Sequence, residues 1–330
     1  MRSVLVATDR IAAEDLTRLS KFAEVVEAWR MNDAEILPSL PVVDAAIILG
    51  WPSFFTRENL SRMKKLRFIQ TVSVGVNQVH FQDLPVRVTV CSNAGAYSTG
   101  VGEHAWGLLL AAAKRIPQAD AAIRAGGATI EGFRAEAKDV MILRGKTMGI
   151  VAYGGIGRAV AKFARAFGMD VVALTRRRGG DKGVRFYRGA KGLKTVLRLS
   201  DAVLISIPLT RLTEGLIGAR ELGLMKKDAV LVNVSRGDVV NQRALYEHLA
   251  ANASFSYATD VWWYREGKET LETEFPFSKL SNFVGTPHIS GPSTVASGEP
   301  QGAAVTNTVR YLRGLRPRNV VDASEYQRSG

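Results

Sequence analysis

One stretch, residues 146–178 (KTMGIVAYGGIGRAVAKFARAFGMDVVALTRRR), constrains the fold of this chain more than any other. Residues 148–152 form an apolar run with the look of a strand buried on both faces. Tyr153, Gly154, Gly155, Ile156 and Gly157 follow as a turn too rich in glycine to continue it. Val160, Phe163, Ala164 and Phe167 then recur at three- and four-residue steps, the period of an amphipathic helix. Gly168 stops that helix, and a second apolar run at 171–174 completes a βαβ unit of about 30 residues.

Glycines in such a turn have physical work. Gly154 lets a pyrophosphate approach the backbone, and Gly157 lets helix and strand pack closely. The unpaired N–H groups at the helix start favour the phosphates. Ala152 occupies the place where the usual G-x-G-x-x-G pattern has its first glycine. The stretch is therefore expected to bind a dinucleotide. An acidic residue at the end of the second strand would bond a ribose 2′-hydroxyl, as for NAD. Thr175, Arg176 and Arg177 stand there instead. A hydroxyl and guanidinium forks suit a 2′-phosphate, so NADP is expected ahead of NAD.

At 330 residues the chain has room for two domains, and 46% hydrophobic with 23% charged residues is ordinary for a globular protein. No apolar run reaches the roughly 18 residues of a membrane span. The segment MRSVLVATDR reads as a first strand, not a signal peptide. A single cysteine, Cys91, suits a reducing, cytoplasmic setting. The formal charge of +13 raises nucleic acid as a partner. Zinc-finger spacing, an aromatic RNA-binding motif and a basic tail are all missing, so the charge is read as a basic proteome background plus a site for an anionic cofactor and substrate. No metal site is expected.

Strand-like runs at 4–8, 45–49, 68–72 and 88–91, with helical patterns at 14–22 and 57–65, predict a first α/β unit. The pattern over 99–125 reads as one long helix. Beyond the glycine stretch, strands at 202–207, 229–234 and 255–260 alternate with helices at 193–199, 219–225 and 242–251. This predicts a six-stranded, doubly wound sheet with its ligands at the carboxyl ends of the strands. Ser206, Asn233, Ser235, Arg236 and Asp260 fall at those ends. The pattern over 293–312 reads as a closing helix.

Several motifs lie in one order along the chain: Ser73-Val74-Gly75-Val76-Asn77, Asn93-Ala94-Gly95, Val101-Gly102-Glu103-His104 and the glycine turn. Pro208-Leu209-Thr210, Asn233-Val234-Ser235-Arg236-Gly237-Asp238, Asp260-Val261-Trp262-Trp263 and Thr286-Pro287-His288-Ile289-Ser290-Gly291 follow. Together they resemble the D-isomer-specific 2-hydroxyacid dehydrogenase family over nearly the whole chain. The resemblance implies two doubly wound parallel-sheet domains. A Rossmann cofactor domain, 98–287, would be inserted into a flavodoxin-like substrate domain, 1–97 and 288–330, with the active site in the cleft. It also implies a homodimer, and cofactor contacts from Tyr153, Gly154, Gly155, Ile156, Gly157, Thr175, Arg176, Arg177, Pro208, Thr213, Val234 and Asp260.

Reduction of a 2-keto acid needs a carboxylate anchor, a proton donor and a hydride held in line. Arg236 is a fixed cation that can clamp the carboxylate and polarise the carbonyl. His288 can exchange a proton near neutral pH. Backbone N–H groups of Val74 and Gly75 are further carboxylate donors, because a glycine permits close approach. By the resemblance, Asp260 meets the nicotinamide amide. The family's usual glutamate partner for the histidine is not in its expected place. An ungapped count from Arg236 reaches Arg265 there, with Glu266 next. Either Glu266 shifts by one residue to serve His288, or the partner is lost. Small substrates such as glyoxylate and hydroxypyruvate are expected. A dinucleotide-sensing, corepressor-like binding protein is the alternative, and formate or phosphite oxidation ranks behind both.

Overall fold

The computed structural model describes residues 2–126, 129–132, 140–176, 180–291 and 298–326. Arg177 and the first residues of the predicted closing helix lie outside that set. The chain divides into two compact units, Met1–Tyr97 with Ser293–Gly330, and Ser98–Pro292.

The first unit is built on five parallel strands, β1 (Ser3–Ala7), β2 (Glu24–Glu27), β3 (Ala45–Ile48), β4 (Phe68–Thr71) and β5 (Thr89–Cys91), in the order β2-β1-β3-β4-β5. Alternate side chains of these runs serve opposite faces. Leu5, Ala46, Ile48, Ile69 and Val90 pack with Ile36, Leu40 and Leu60 on one side. Val4, Val6, Ala45, Ile47 and Phe68 pack on the other side with Leu19, Ala304 and Val305, from the helices Ala13–Ser20 and Glu299–Leu312. Covering both faces is why the strands read as continuous apolar runs. The edge strand β2, Glu-Val-Val-Glu, is half-exposed and carries charge, so its sequence hides it.

The second unit holds β6 (Thr147–Val151), β7 (Asp170–Leu174), β8 (Val184–Tyr187), β9 (Ala202–Ile205), β10 (Val230–Asn233), β11 (Ser256–Thr259) and β14 (Phe283–Gly285), all parallel, in the order β14-β11-β10-β9-β6-β7-β8. A separate two-stranded hairpin joins β12 (Tyr264–Arg265) and β13 (Lys268–Glu269). The chain runs outward from β6 to β8, then returns to β9 and proceeds the other way. The switch point therefore lies between β6 and β9, where doubly wound sheets hold their ligands. The sheet has seven strands, one more than expected. Two strands have no run placed above: the three-residue β14, and β8, from the basic stretch after β7, whose Val-Arg-Phe-Tyr sequence is too short and too exposed to stand out.

The predicted 99–125 helix is two helices, Ser98–Ala113 and Ile116–Ala125. Arg115 between them is left-handed, at φ 52°, and Pro117 stands in the first turn of the second. Pro117 cannot donate an N–H to the preceding turn, so the break falls where a proline is tolerated. Among the described residues, no helix is long and apolar enough to cross a membrane.

Register matters most for the site. Val151 pairs with Ile205, Ile205 with Asn233, Asn233 with Thr259, and Thr259 with Gly285. These five residues form one row across the sheet. The residues just beyond them, Ala152, Ser206, Val234, Asp260 and Thr286, therefore emerge along one carboxyl edge.

Candidate active site

At the end of β6 the turn enters the helix Gly155–Ala166 with no side-chain cap. The first N–H groups of a helix lack partners within it, and here no side chain supplies one. Gly154 and Gly155 are exposed. A Cβ built on Gly154 would meet no atom within 4 Å, whereas one on Gly157 would come within 2.8 Å of the Ala152 carbonyl oxygen and 2.9 Å of Ile150. Gly157 thus permits the close helix–strand approach, and Gly154 leaves its side of the turn open. Ile156 is half-buried behind it. The residues fit a dinucleotide. Ala152 adopts φ 78°, a left-handed conformation normally left to glycine.

Tyr153 of the turn donates its hydroxyl to Asp181 at 2.7 Å, and Arg158 reaches the same carboxylate oxygen at 2.7 Å. Burial and the Asp181 hydrogen bond push the phenol of Tyr153 up to about 12. The Tyr153 hydrogen bond, with help from Arg158, holds Asp181 below the usual carboxylate range. Asp181 was not foreseen: it follows the basic run and carries no motif. At the end of β7, Thr175 is half-buried, with its N–H on Tyr187, and Arg176 is exposed. In the loop after β9, Pro208 is exposed and Thr213 is buried. The Thr213 hydroxyl donates to the Pro208 carbonyl oxygen at 2.6 Å and accepts from the Thr210 N–H at 2.8 Å, so it shapes the loop. Val234 is buried beside β9, with its N–H on Ile205.

Beyond β10, the fully buried Asn233 folds the turn that carries Arg236. Its side chain donates to the Arg236 carbonyl oxygen at 2.9 Å and accepts from the N–H and hydroxyl of Ser235 at 3.0 and 2.9 Å. The half-buried Arg236 guanidinium donates to the Ser235 carbonyl oxygen. Gly237 is required here. A Cβ at that position would fall 2.2 Å from the backbone carbon of Trp262, so this glycine lets the loop after β11 press against the one after β10.

His288 follows β14, with φ at 54°. Its Nδ1 lies 2.6 Å from Oε2 of Glu269, whose other oxygen accepts the Trp262 N–H at 2.7 Å. This pairing corrects the expectation for Glu266. Glu266 and Gly267 both have positive φ, 51° and 78°, and form the two-residue turn of the β12–β13 hairpin. Such a turn reverses the chain. Glu266 is left exposed at the tip, and Glu269 returns opposite Tyr264 to face the histidine. An ungapped count fails because the hairpin adds length; a Glu-Gly turn signal, weaker than Asn-Gly, was the available clue. Burial, the largest influence, pushes the Glu269 carboxyl upward. The His288 hydrogen bond, the Trp262 N–H and the charges of His288 and Arg236 outweigh it and hold the group below its ordinary range.

Asp260, fully buried, accepts from the Ile289 and Ser290 N–H groups at 3.0 Å each, from the Thr286 hydroxyl at 2.6 Å, and from the Ser290 hydroxyl. Its carboxylate thereby anchors the segment that carries His288. Trp262 is half-buried, and its indole N–H donates to the Thr286 carbonyl oxygen at 2.9 Å. Trp263 belongs to the core, stacked on Phe277. Val74 and Gly75 belong to the first unit, in the loop after β4, with Val74 exposed and the Ser73 hydroxyl donating to the Gly75 carbonyl oxygen. Among the described residues no cluster of side chains suits a metal ion.

The geometry in the second unit thus joins a glycine-rich turn at a helix start, a guanidinium and a histidine–carboxylate pair along one sheet edge. Comparison with known proteins agrees. The family profile for the D-isomer specific 2-hydroxyacid dehydrogenase NAD binding domain matches residues 106–290. The glyoxylate reductase of Thermococcus litoralis is 31% identical over 333 residues, covering 98% of this chain and 97% of that protein. The D-3-phosphoglycerate dehydrogenase of Methanocaldococcus jannaschii is 30% identical over 324 residues, 96% of this chain, which spans only 59% of that relative's length. A solved acyclic imino acid reductase in complex with NADPH and D-Arg superposes with a TM-score of 0.77 at 25% identity, covering 97% of this chain and 100% of that one. The chain belongs to the D-isomer-specific 2-hydroxyacid dehydrogenase family.

Proposed function

We propose that this protein is an NAD(P)-dependent oxidoreductase that prefers NADP and interconverts a small 2-keto acid with its D-2-hydroxy acid. The observation that carries the reading is the His288–Glu269 pair beside Arg236, on the sheet edge that also bears the phosphate turn. The dinucleotide, when bound, supplies hydride chemistry. Arg236 holds the substrate carboxylate and polarises the carbonyl. Glu269 takes the Nδ1–H of His288, which fixes the ring and directs Nε2 to the substrate. In the reducing direction the imidazolium gives its Nε2 proton to the carbonyl oxygen and is reprotonated from water.

The NADP preference rests on Thr175 and Arg176 at the end of β7, where an acidic residue would favour NAD. Glyoxylate and hydroxypyruvate are the first substrates to test, in line with the glyoxylate reductase relative. The binding-protein alternative rests on a missing histidine partner and on the charge of +13; Glu269 at His288 removes the first ground and favours turnover, while the charge remains. A homodimer belongs to the same proposal, supported by Ile116 and Ile123, 55% and 65% exposed on one helix. Light scattering tests it.

The deciding experiment follows NADPH and NADH absorbance with a panel of small 2-keto acids. Turnover with NADPH ahead of NADH is expected. Arg176→Ala is expected to raise KM for NADPH about 10-fold, the loss of one charge-assisted contact, and to leave NADH unchanged. A sample that leaves both cofactors unoxidised refutes the proposal.

A further inference from the structure

His104 is a titratable side chain that the proposed reaction does not use. It sits on the helix Ser98–Ala113, which packs against β10, β11 and β14. Its Nε2 is 2.9 Å from the Thr286 hydroxyl and 3.4 Å from Oδ1 of Asp260, and its side chain is 22% exposed. The same helix also packs closely on the helix Gly155–Ala166 through Gly102, where a Cβ would come within 2.7 Å of Ala159.

Proton counting fixes the direction of the chain. A carboxylate only accepts, and besides Thr286 and the more distant His104, at 3.4 Å, Asp260 meets donors: two backbone N–H groups and the Ser290 hydroxyl. The single proton of the Thr286 hydroxyl therefore goes to Asp260, 2.6 Å away and charged, in preference to the Thr259 carbonyl oxygen at 3.5 Å. What the Thr286 oxygen offers His104 is a lone pair. His104 must then carry a proton on Nε2 and donate it.

The consequence lies in the segment beyond. His288 holds a left-handed backbone, φ 54°, between Thr286 on one side and Ile289 and Ser290 on the other. A residue other than glycine keeps such a conformation only where its surroundings over-determine it. Here Trp262 holds the Thr286 carbonyl oxygen, and Asp260 holds the two N–H groups after His288. We propose that His104 is a positioning residue: as an Nε2–H donor to Thr286 it orients that hydroxyl onto Asp260 and so locks the 286–290 segment that aims His288. The inference rests on the reading of His288 as the acid–base group, but its first test does not need turnover.

Nitrogen NMR of the protein with labelled histidine, which has four, reads the tautomer directly. His104→Gln identifies the signal by its disappearance. A protonated Nε2 on His104 is expected; a bare Nε2 with the proton on Nδ1 overturns the proposal, whether or not the protein proves to be a dehydrogenase. The kinetic test compares His104→Met, which has no donor, with His104→Gln, whose amide can donate. His104→Met is expected to lower kcat about 10-fold, the equivalent of one lost hydrogen bond, with KM for the keto acid within about twofold. His104→Gln is expected to recover most of that loss. If His104→Met keeps the wild-type kcat, or if both variants lose equally, the positioning role is wrong. If His104→Met does not fold, the tautomer and the glutamine variant still decide. A wild-type protein without turnover would instead remove the proposed reaction and leave the NMR result standing.

Discussion

Glutamine in place of Glu269 separates the charge of the histidine partner from its shape. The amide oxygen can still accept from Nδ1 of His288, and the side chain keeps its length. What disappears is the negative charge and one of two acceptors, since the carboxylate, 19% exposed, accepts from the imidazole at 2.6 Å and from the Trp262 N–H at 2.7 Å, and the glutamine NH2 can accept from neither. A hydrogen bond to a charged group contributes about 1.5–3 kcal/mol, against about 1 for a neutral one, so the loss is about 1–2 kcal/mol. Applied to the transition state, that lowers kcat about 5- to 30-fold. KM should barely move, because the substrate carboxylate is assigned to Arg236. The assay is steady-state NADPH oxidation with the keto acid found in the panel, run beside Glu266→Gln. Glu266 is exposed at the hairpin tip, and its variant should match wild type. Equal losses in the two variants, or a neutral Glu269→Gln, would refute the assignment. A pH arm checks the same pair through stability. The folded Glu269 titrates below its ordinary value of 4.5, so its stabilising contribution is complete above that pH and disappears as the pH falls through the depressed value. The difference in Tm between wild type and Glu269→Gln should therefore shrink as the pH falls below about 4.5.

Three further variants follow from the geometry. Arg236→Ala should lower kcat/KM about 100- to 1000-fold, through loss of a charge-assisted clamp, and Arg236→Lys should restore only part, since an ammonium cannot grip two oxygens in a plane; initial rates decide. Ala152→Gly relieves a left-handed backbone costing about 1–2 kcal/mol, against about 0.5–1 for the extra freedom of an unfolded glycine, so thermal unfolding should show a gain of a few tenths to 1 kcal/mol. Unchanged or lower stability would mean that the turn is not strained. Gly237→Ala forces a Cβ onto the Trp262 backbone, 2.2 Å away, and should cost about 3 kcal/mol or more in denaturant unfolding, with activity lost as Arg236 and Glu269 separate.

The amino-acid sequence by itself determined a great deal. The apolar runs that became β1, β3, β4, β6, β7, β9, β10 and β11 are legible because strands covered on both faces have no polar side. The turn from Ala152 to Gly157 is legible because glycine allows what other residues resist. Arg236 and Asp260 stand out because each follows such a run, and a parallel sheet brings strand ends to one edge; His288 stands out through the Thr-Pro-His-Ile-Ser-Gly motif. The tertiary structure decided the rest. β8 is a half-exposed edge strand, and Arg115 breaks the long helix through a left-handed conformation, so neither leaves a periodic trace. Glu269 reaches His288 across 19 residues through a hairpin, and His104 reaches Thr286 across 182. Local periodicity records which face a residue serves; it carries no record of which distant proton donor will meet which acceptor. That choice is made only when strand register and helix packing place the two groups within hydrogen-bond reach.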